Sequence, residues 1–132
     1  WHQTWAYAKS SDHSGFKNYG RSQKRMYRQI LQCSRRAMKE EGLDLIVPCG
    51  TAIQIARKSF IGDNMNRDGY HLNLVYGRYT AACTWFEAIF KTSVVGNSYA
   101  PKCMSPQLIR TTQNAAHKAV LTLMTLSSTR QQ

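Results

Sequence analysis

Long apolar runs are missing from this sequence. The longest span a few residues, such as Leu45-Ile46-Val47, against the roughly 20 that a bilayer crossing demands, so a membrane span is excluded. Acidic residues are scarce as well: seven Asp and Glu stand against 18 Lys and Arg, leaving a formal net charge of +11. That imbalance favours solubility and unspecific attraction to polyanions without dictating a fold. The four cysteines include no Cys-x-x-Cys pair and no flanking His pair at zinc spacing, so neither a structural metal nor a cofactor is expected. Four in 132 residues is also far from a cysteine-dense scaffold. Cys33, Cys49 and Cys83 lie inside apolar segments and read as small buried thiols. No charged-then-apolar leader is present and the first residue is Trp1; the expectation is a targeting signal absent or already removed, and a chain that is a piece of something longer.

What is present is ordinary globular material. Hydrophobic residues make up 42% and charged residues 19%, too apolar for a disordered chain and the right length for one domain, expected over 1–126 with a frayed tail at 127–132. Trp1 to Tyr7 alternates aromatic and polar residues like the end of a strand. Lys9 to Gly20 collects turn formers and reads as a surface loop, with His13 solvated. From about Ser22, Met26, Tyr27, Ile30, Leu31, Ser34, Ala37 and Met38 trace a helical stripe that Gly42 stops. Leu43 to Gly50 is a short apolar run ended by Pro48, as for a buried parallel strand. Thr51 is placed to cap a helix running to Phe60. Asn73 caps an amphipathic helix through Phe90, and Ser105-Pro106 opens a last helix whose polar face carries Gln113 and His117.

Helix alternating with strand argues for an α/β layered architecture with right-handed crossovers. Only the Trp1 and Leu43 segments look like parallel strands, and two strands do not make a covered parallel sheet. The sheet is therefore expected to be incomplete, with further strands upstream of Trp1 or supplied by another chain.

The chemically informative run is Asn66-Arg67-Asp68-Gly69-Tyr70-His71-Leu72-Asn73. With two residues between them in a loop that Gly69 allows to be tight, Asp68 can place its carboxylate on Nδ1-H of His71. That fixes the tautomer and leaves Nε2 free to accept a proton from a nucleophile. By spacing alone a capping carboxylate beside a solvated imidazole is the favoured reading of the pair. His2, Trp1 and Trp5 fall where a parallel strand ends, the side on which open α/β sheets bind ligands, so they are candidates for a sugar-binding wall; packing in the core is the competing reading for Trp5. Tyr70 either closes the pocket beside His71 or packs on the last helix. Gly96-Asn97-Ser98 imitates a nucleophile turn, but Pro101 and Pro106 break the residues beyond it into a loop, and a surface turn is expected.

Asp-x-x-His before the C-terminal helices resembles the last catalytic block of the SGNH hydrolases, the GDSL-type esterase superfamily. The phrases His2-Gln3-Thr4-Trp5-Ala6-Tyr7, Val47-Pro48-Cys49-Gly50-Thr51-Ala52, Arg67-Asp68-Gly69-Tyr70-His71-Leu72 and Gly77-Arg78-Tyr79-Thr80-Ala81-Ala82 are similar, in that order, to the C-terminal half of a poorly characterised bacterial SGNH family, as are Val94 to Ser98 and Ala115 to Val120. The resemblance implies the C-terminal part of a flavodoxin-like three-layer α/β/α sandwich with a parallel sheet. It also implies a serine esterase in which Asp68 orients the general base His71. The nucleophilic serine and the oxyanion-hole residues would belong to an N-terminal half of the same domain, leaving this piece alone inactive. The implied substrate is an ester, by analogy an O-acetyl group on carbohydrate, and the implied compartment is secreted or periplasmic.

Two other classes compete. Arg21, Lys24, Arg25, Arg28, Arg35, Arg36 and Lys39 stand against Glu40 and Glu41 on the first long helix, which would suit a module binding nucleic acid or acidic glycan. No aromatics interleave with these charges and no nucleic-acid motif accompanies them, so a solvated face is expected and nucleic acid is not. A catalytically dead scaffold that keeps the fold is the third.

Overall fold

The computed structural model describes the backbone of residues 1–128 and the side chains through Leu123. After an extended start, a short 3-10 turn at Ser14–Tyr19 leads into α1, Gln23–Glu40. Ser22 caps α1 by accepting the Arg25 backbone N–H, and Gly42 follows it in the left-handed conformation. Met26, Ile30 and Ser34 are buried while the basic residues face outward, the amphipathic pattern read from the sequence. Next come α2, Cys49–Ala56, a 3-10 turn at Gly62–Met65, α3, Tyr76–Phe90, and α4, Pro106–Ser128. Of the expected tail, Ser127 and Ser128 belong to α4, and residues 129–132 lie outside the described residues.

The expected parallel sheet is not there. Helix accounts for 56% of the chain and strand for 3%, with no sheet among the described residues, so an α/β flavodoxin-like sandwich does not describe this chain. The two candidate strands meet at a single parallel bridge, His2 to Val47, where Val47 N donates to Trp1 O at 2.8 Å and Gln3 N to Val47 O at 3.0 Å. The reason lies in the run Leu43 to Gly50. A short apolar segment fits a buried strand and a buried helix equally well. Here Pro48, without an N–H to give a ladder, sits at the N-cap and Cys49 and Gly50 already belong to α2. Thr51 is therefore inside the helix rather than its cap, and its N–H and Oγ1 both donate to Gln3 Oε1 at 2.8 Å. Gly50 allows this approach: a Cβ there would lie 1.9 Å from Thr4 O.

The core is helix on helix. α2 buries Cys49, Ala52, Ile53 and Ala56 and packs against both α3 and α4, which also pack on each other; Ile53 and Ala56 join Ile61, Met65, Leu72 and Ala115. A second cluster sets Ala6 and Phe16 on Met26 and Ile30 of α1. Cys49 and Cys83 are buried, but Cys33 is exposed, contrary to expectation, and all four thiols are free. No helix among the described residues is long and apolar enough to cross a membrane.

Candidate functional site

The loop 67–71 is closed by an antiparallel bridge between Asn66 and Leu72, with Arg67 N donating to His71 O at 3.0 Å and Asn73 N to Met65 O at 2.8 Å. Inside it Asp68 divides its two oxygens. Oδ1 accepts the backbone N–H of Tyr70 at 3.2 Å and of His71 at 2.7 Å, while Oδ2 lies 2.7 Å from His71 Nδ1. One oxygen thus shapes the turn and the other orients the ring. Against a desolvation that by itself raises it, the hydrogen bond to the imidazole and then those from the two backbone N–H groups hold the Asp68 carboxyl at about 2, below its ordinary 3.8. The His71 side chain is half exposed, and Nε2 has no partner among the described residues. Gly69 makes the turn possible: its φ is +88°, and a Cβ would come within 2.9 Å of Ser11 Cα.

Three hydrogen bonds pin this loop to the domain. Gly69 O accepts from Ala8 N at 2.8 Å, and Tyr70 O accepts from both Trp5 Nε1 at 2.7 Å and Asn66 Nδ2 at 3.0 Å. Behind Asn66 stands Arg57, whose Nη2 donates to Asn66 Oδ1 and, at 2.9 Å, to Ala6 O; Nη1 donates to Gln54 Oε1 at 3.0 Å. Its Nε lies 3.0 Å from Asp63 Oδ1 without the alignment of a hydrogen bond. Only 5% of this side chain is exposed, and burial draws the guanidinium below its usual pKa, opposed by Asp63. Arg57 and Asn66 were not singled out from the sequence. The available signal was a cation ending an otherwise apolar helix, which needs a partner from elsewhere in the fold.

Of the expected wall, Tyr70 and Trp5 meet at the loop that carries the dyad, and His2 is reached only through Trp5. The Tyr70 ring lies 4.3 Å from that of His71. Trp5 is joined to the same loop through Tyr70 O, and His2 lies 6.0 Å from Trp5 and 5.4 Å from Trp85. Trp5 also packs against the core, the competing reading of that residue. Trp1 is directed elsewhere, with its Nε1 donating to Ser34 Oγ of α1 at 3.2 Å. Two histidines expected in solvent are engaged instead. His13 is half-buried, 4.9 Å from Tyr7 and 4.8 Å from Tyr70. His117 Nδ1 lies 2.6 Å from Oε1 of the buried Glu87, whose Oε2 accepts Val94 N at 2.8 Å. Gln113, also expected outside, is buried, accepts from Gly96 N at 3.0 Å and donates to Tyr79 OH at 2.9 Å. The second imidazole and carboxylate pair thus braces the 93–97 turn against α3 and α4.

Fold and site together define a helical domain that presents an exposed, carboxylate-oriented imidazole on a pinned loop. Residues 1–119 match the family described as a domain of unknown function, DUF4886, and the chain belongs to that family. It is similar to a solved DUF4886 family protein from Bacteroides uniformis ATCC 8492, at 54% identity and a TM-score of 0.89, over 91% of this chain and 46% of that one. The chain thus spans about half the length of this solved relative. No curated protein matches.

Proposed function

We propose that this chain supplies the base of an ester hydrolase, in the manner of the SGNH-type serine esterases it resembles. The carrying observation is the 2.7 Å contact between Asp68 Oδ2 and His71 Nδ1, on an imidazole whose other nitrogen is open to a partner. In this reading Asp68 fixes the ring with its proton on Nδ1. His71 Nε2 takes the proton of a serine hydroxyl as that oxygen attacks the ester carbonyl, then returns it to the departing alcohol. A water, deprotonated the same way, releases the acid and restores the serine. The serine and the oxyanion donors are assigned to polypeptide beyond these 132 residues. Tyr70 beside His71 and Trp5 bonded to the same loop, extended through His2 next to Trp5, are proposed as the aromatic surface for a sugar ring, with O-acetylated carbohydrate as the substrate class.

The test is a chimaera in which this chain replaces the matched portion of the Bacteroides uniformis protein, assayed on p-nitrophenyl acetate and acetylated xylan. His71→Ala is expected to lose several orders of magnitude in kcat, and Asp68→Asn about 10⁴-fold. Activity unchanged in His71→Ala, or absent from the folded chimaera, ends the proposal. The competing polyanion reading draws on the outer face of α1, where Lys24, Arg25, Arg28, Arg35, Arg36 and Lys39 are exposed and Arg36 with Glu40 forms an ion pair at 3.6 Å. Binding to heparin or RNA that falls steeply with salt favours it.

A further inference from the structure

We infer that the outer stripe of α3 is a docking surface for the rest of the family polypeptide, the part of the solved relative that has no counterpart in this chain. α3 differs from α1. Where α1 turns a run of charges outward, the outer face of α3 carries Ala82, Trp85 and Ile89 at helical spacing in solvent, preceded on the same stripe by exposed Arg78, while Tyr79, Cys83 and Ala88 face the core. Trp85 is 39% and Ile89 48% exposed. An exposed aromatic and aliphatic stripe of this kind marks an interaction surface.

Two further observations select the occupant. The solved relative extends well beyond the 46% of its chain that is matched here, so polypeptide of the right size exists in the family. The stripe is also continuous with the candidate site: the Trp85 ring meets His2 edge-on at 5.4 Å, His2 reaches Trp5, and Trp5 holds the loop of Tyr70 and His71. Beside it, the bridge to Val47 uses backbone groups of Trp1 and Gln3, and alternation turns those of His2 outward, an open edge of the kind that accepts another extended segment. A chain seated here reaches from α3 to the imidazole. The inference rests on the esterase reading only in saying that the docked polypeptide brings the nucleophile.

Hydroxyl-radical footprinting separates the two claims. Trp85 and Ile89 should be oxidised readily in the 132-residue chain and at least about tenfold less in the chimaera. Equal oxidation in both overturns the inference. So does a homodimer of the 132-residue chain that already protects Trp85 and is dissolved by Ile89→Glu, since the occupant is then a second copy. As a second measurement, the unmatched part of the relative co-expressed as a separate chain should elute with this one as a 1:1 complex that Trp85→Glu disrupts; retention of the complex by Trp85→Glu overturns the inference. Protection of Trp85 without esterase activity removes the proposed chemistry and leaves the docking surface standing, whereas activity with Trp85 fully reactive does the reverse.

Discussion

Replacing Arg57 by Met tests how the candidate loop is held. The substitution preserves most of the stem and removes the guanidinium from a side chain that is only 5% exposed. Three hydrogen bonds go, to Gln54, Ala6 O and Asn66 Oδ1, together with the ion pair to Asp63. Breaking a buried ion pair by removing one partner costs about 3–5 kcal/mol. Asp63 keeps Gln23 Nε2 at 2.7 Å and the Lys9 backbone N–H at 2.6 Å and is partly exposed, so the lower end, about 3 kcal/mol, applies here. At about 2.1 cal/mol/K per residue, the unfolding entropy of a chain this size is about 0.28 kcal/mol/K, and the melting temperature should fall by about 11 °C. Arg57→Lys should fall by roughly half as much, because an ammonium keeps the charge but not the fork that spans Ala6 and Asn66. Adding Asp63→Asn to Arg57→Met should recover part of the loss. Calorimetry reads the shift, and hydrogen exchange at Tyr70 and His71 reads the loosened loop. A change under about 3 °C for Arg57→Met, with unaltered exchange, would refute the reasoning.

Three other outcomes are set by the same geometry. Gly69→Ala combines a positive φ with a contact on Ser11 Cα and should lower stability by about 1–3 kcal/mol in denaturant unfolding; a neutral result would mean that the turn relaxes freely. Asp68 has its folded pKa depressed, so its contribution to stability is present above 3.8 and is lost as pH falls through about 2. Carboxyl NMR should accordingly find it ionised at pH 3, and a midpoint near 3.8 would mean that the pair with His71 does not persist. Burial, only partly offset by local hydrogen bonds, pushes the Cys49 thiol up to about 12 and the Cys83 thiol up to about 11. A thiol reagent at pH 8 should therefore label Cys33 and Cys103 in the folded chain and all four on unfolding; fast labelling of Cys49 would contradict the packing described.

Features that depend on neighbours along the chain were legible in the residues alone. α1 with its Ser22 cap and glycine stop, the opening of α4 after Ser105, and the Asp68 to His71 contact all span four residues or fewer, or repeat with the helical period, so local chemistry specifies them. Long-range packing set the rest. An apolar run such as Leu43 to Gly50 does not record which partners it will meet: residues 43–48 are non-helical and pair only at the bridge from Val47 to His2, and Cys49 and Gly50 enter α2, which packs on α3 and α4. The Arg57 and Gln113 side chains became interior only because partners distant in sequence, Ala6 O and Tyr79 OH, offered hydrogen bonds that repaid their desolvation, and hydropathy assigns such side chains to solvent. Likewise the bonding of Trp5 to the Tyr70 loop, and the turning of Trp1 onto α1, came from how the extended start crosses distant segments, a choice that no pattern of adjacent residues records.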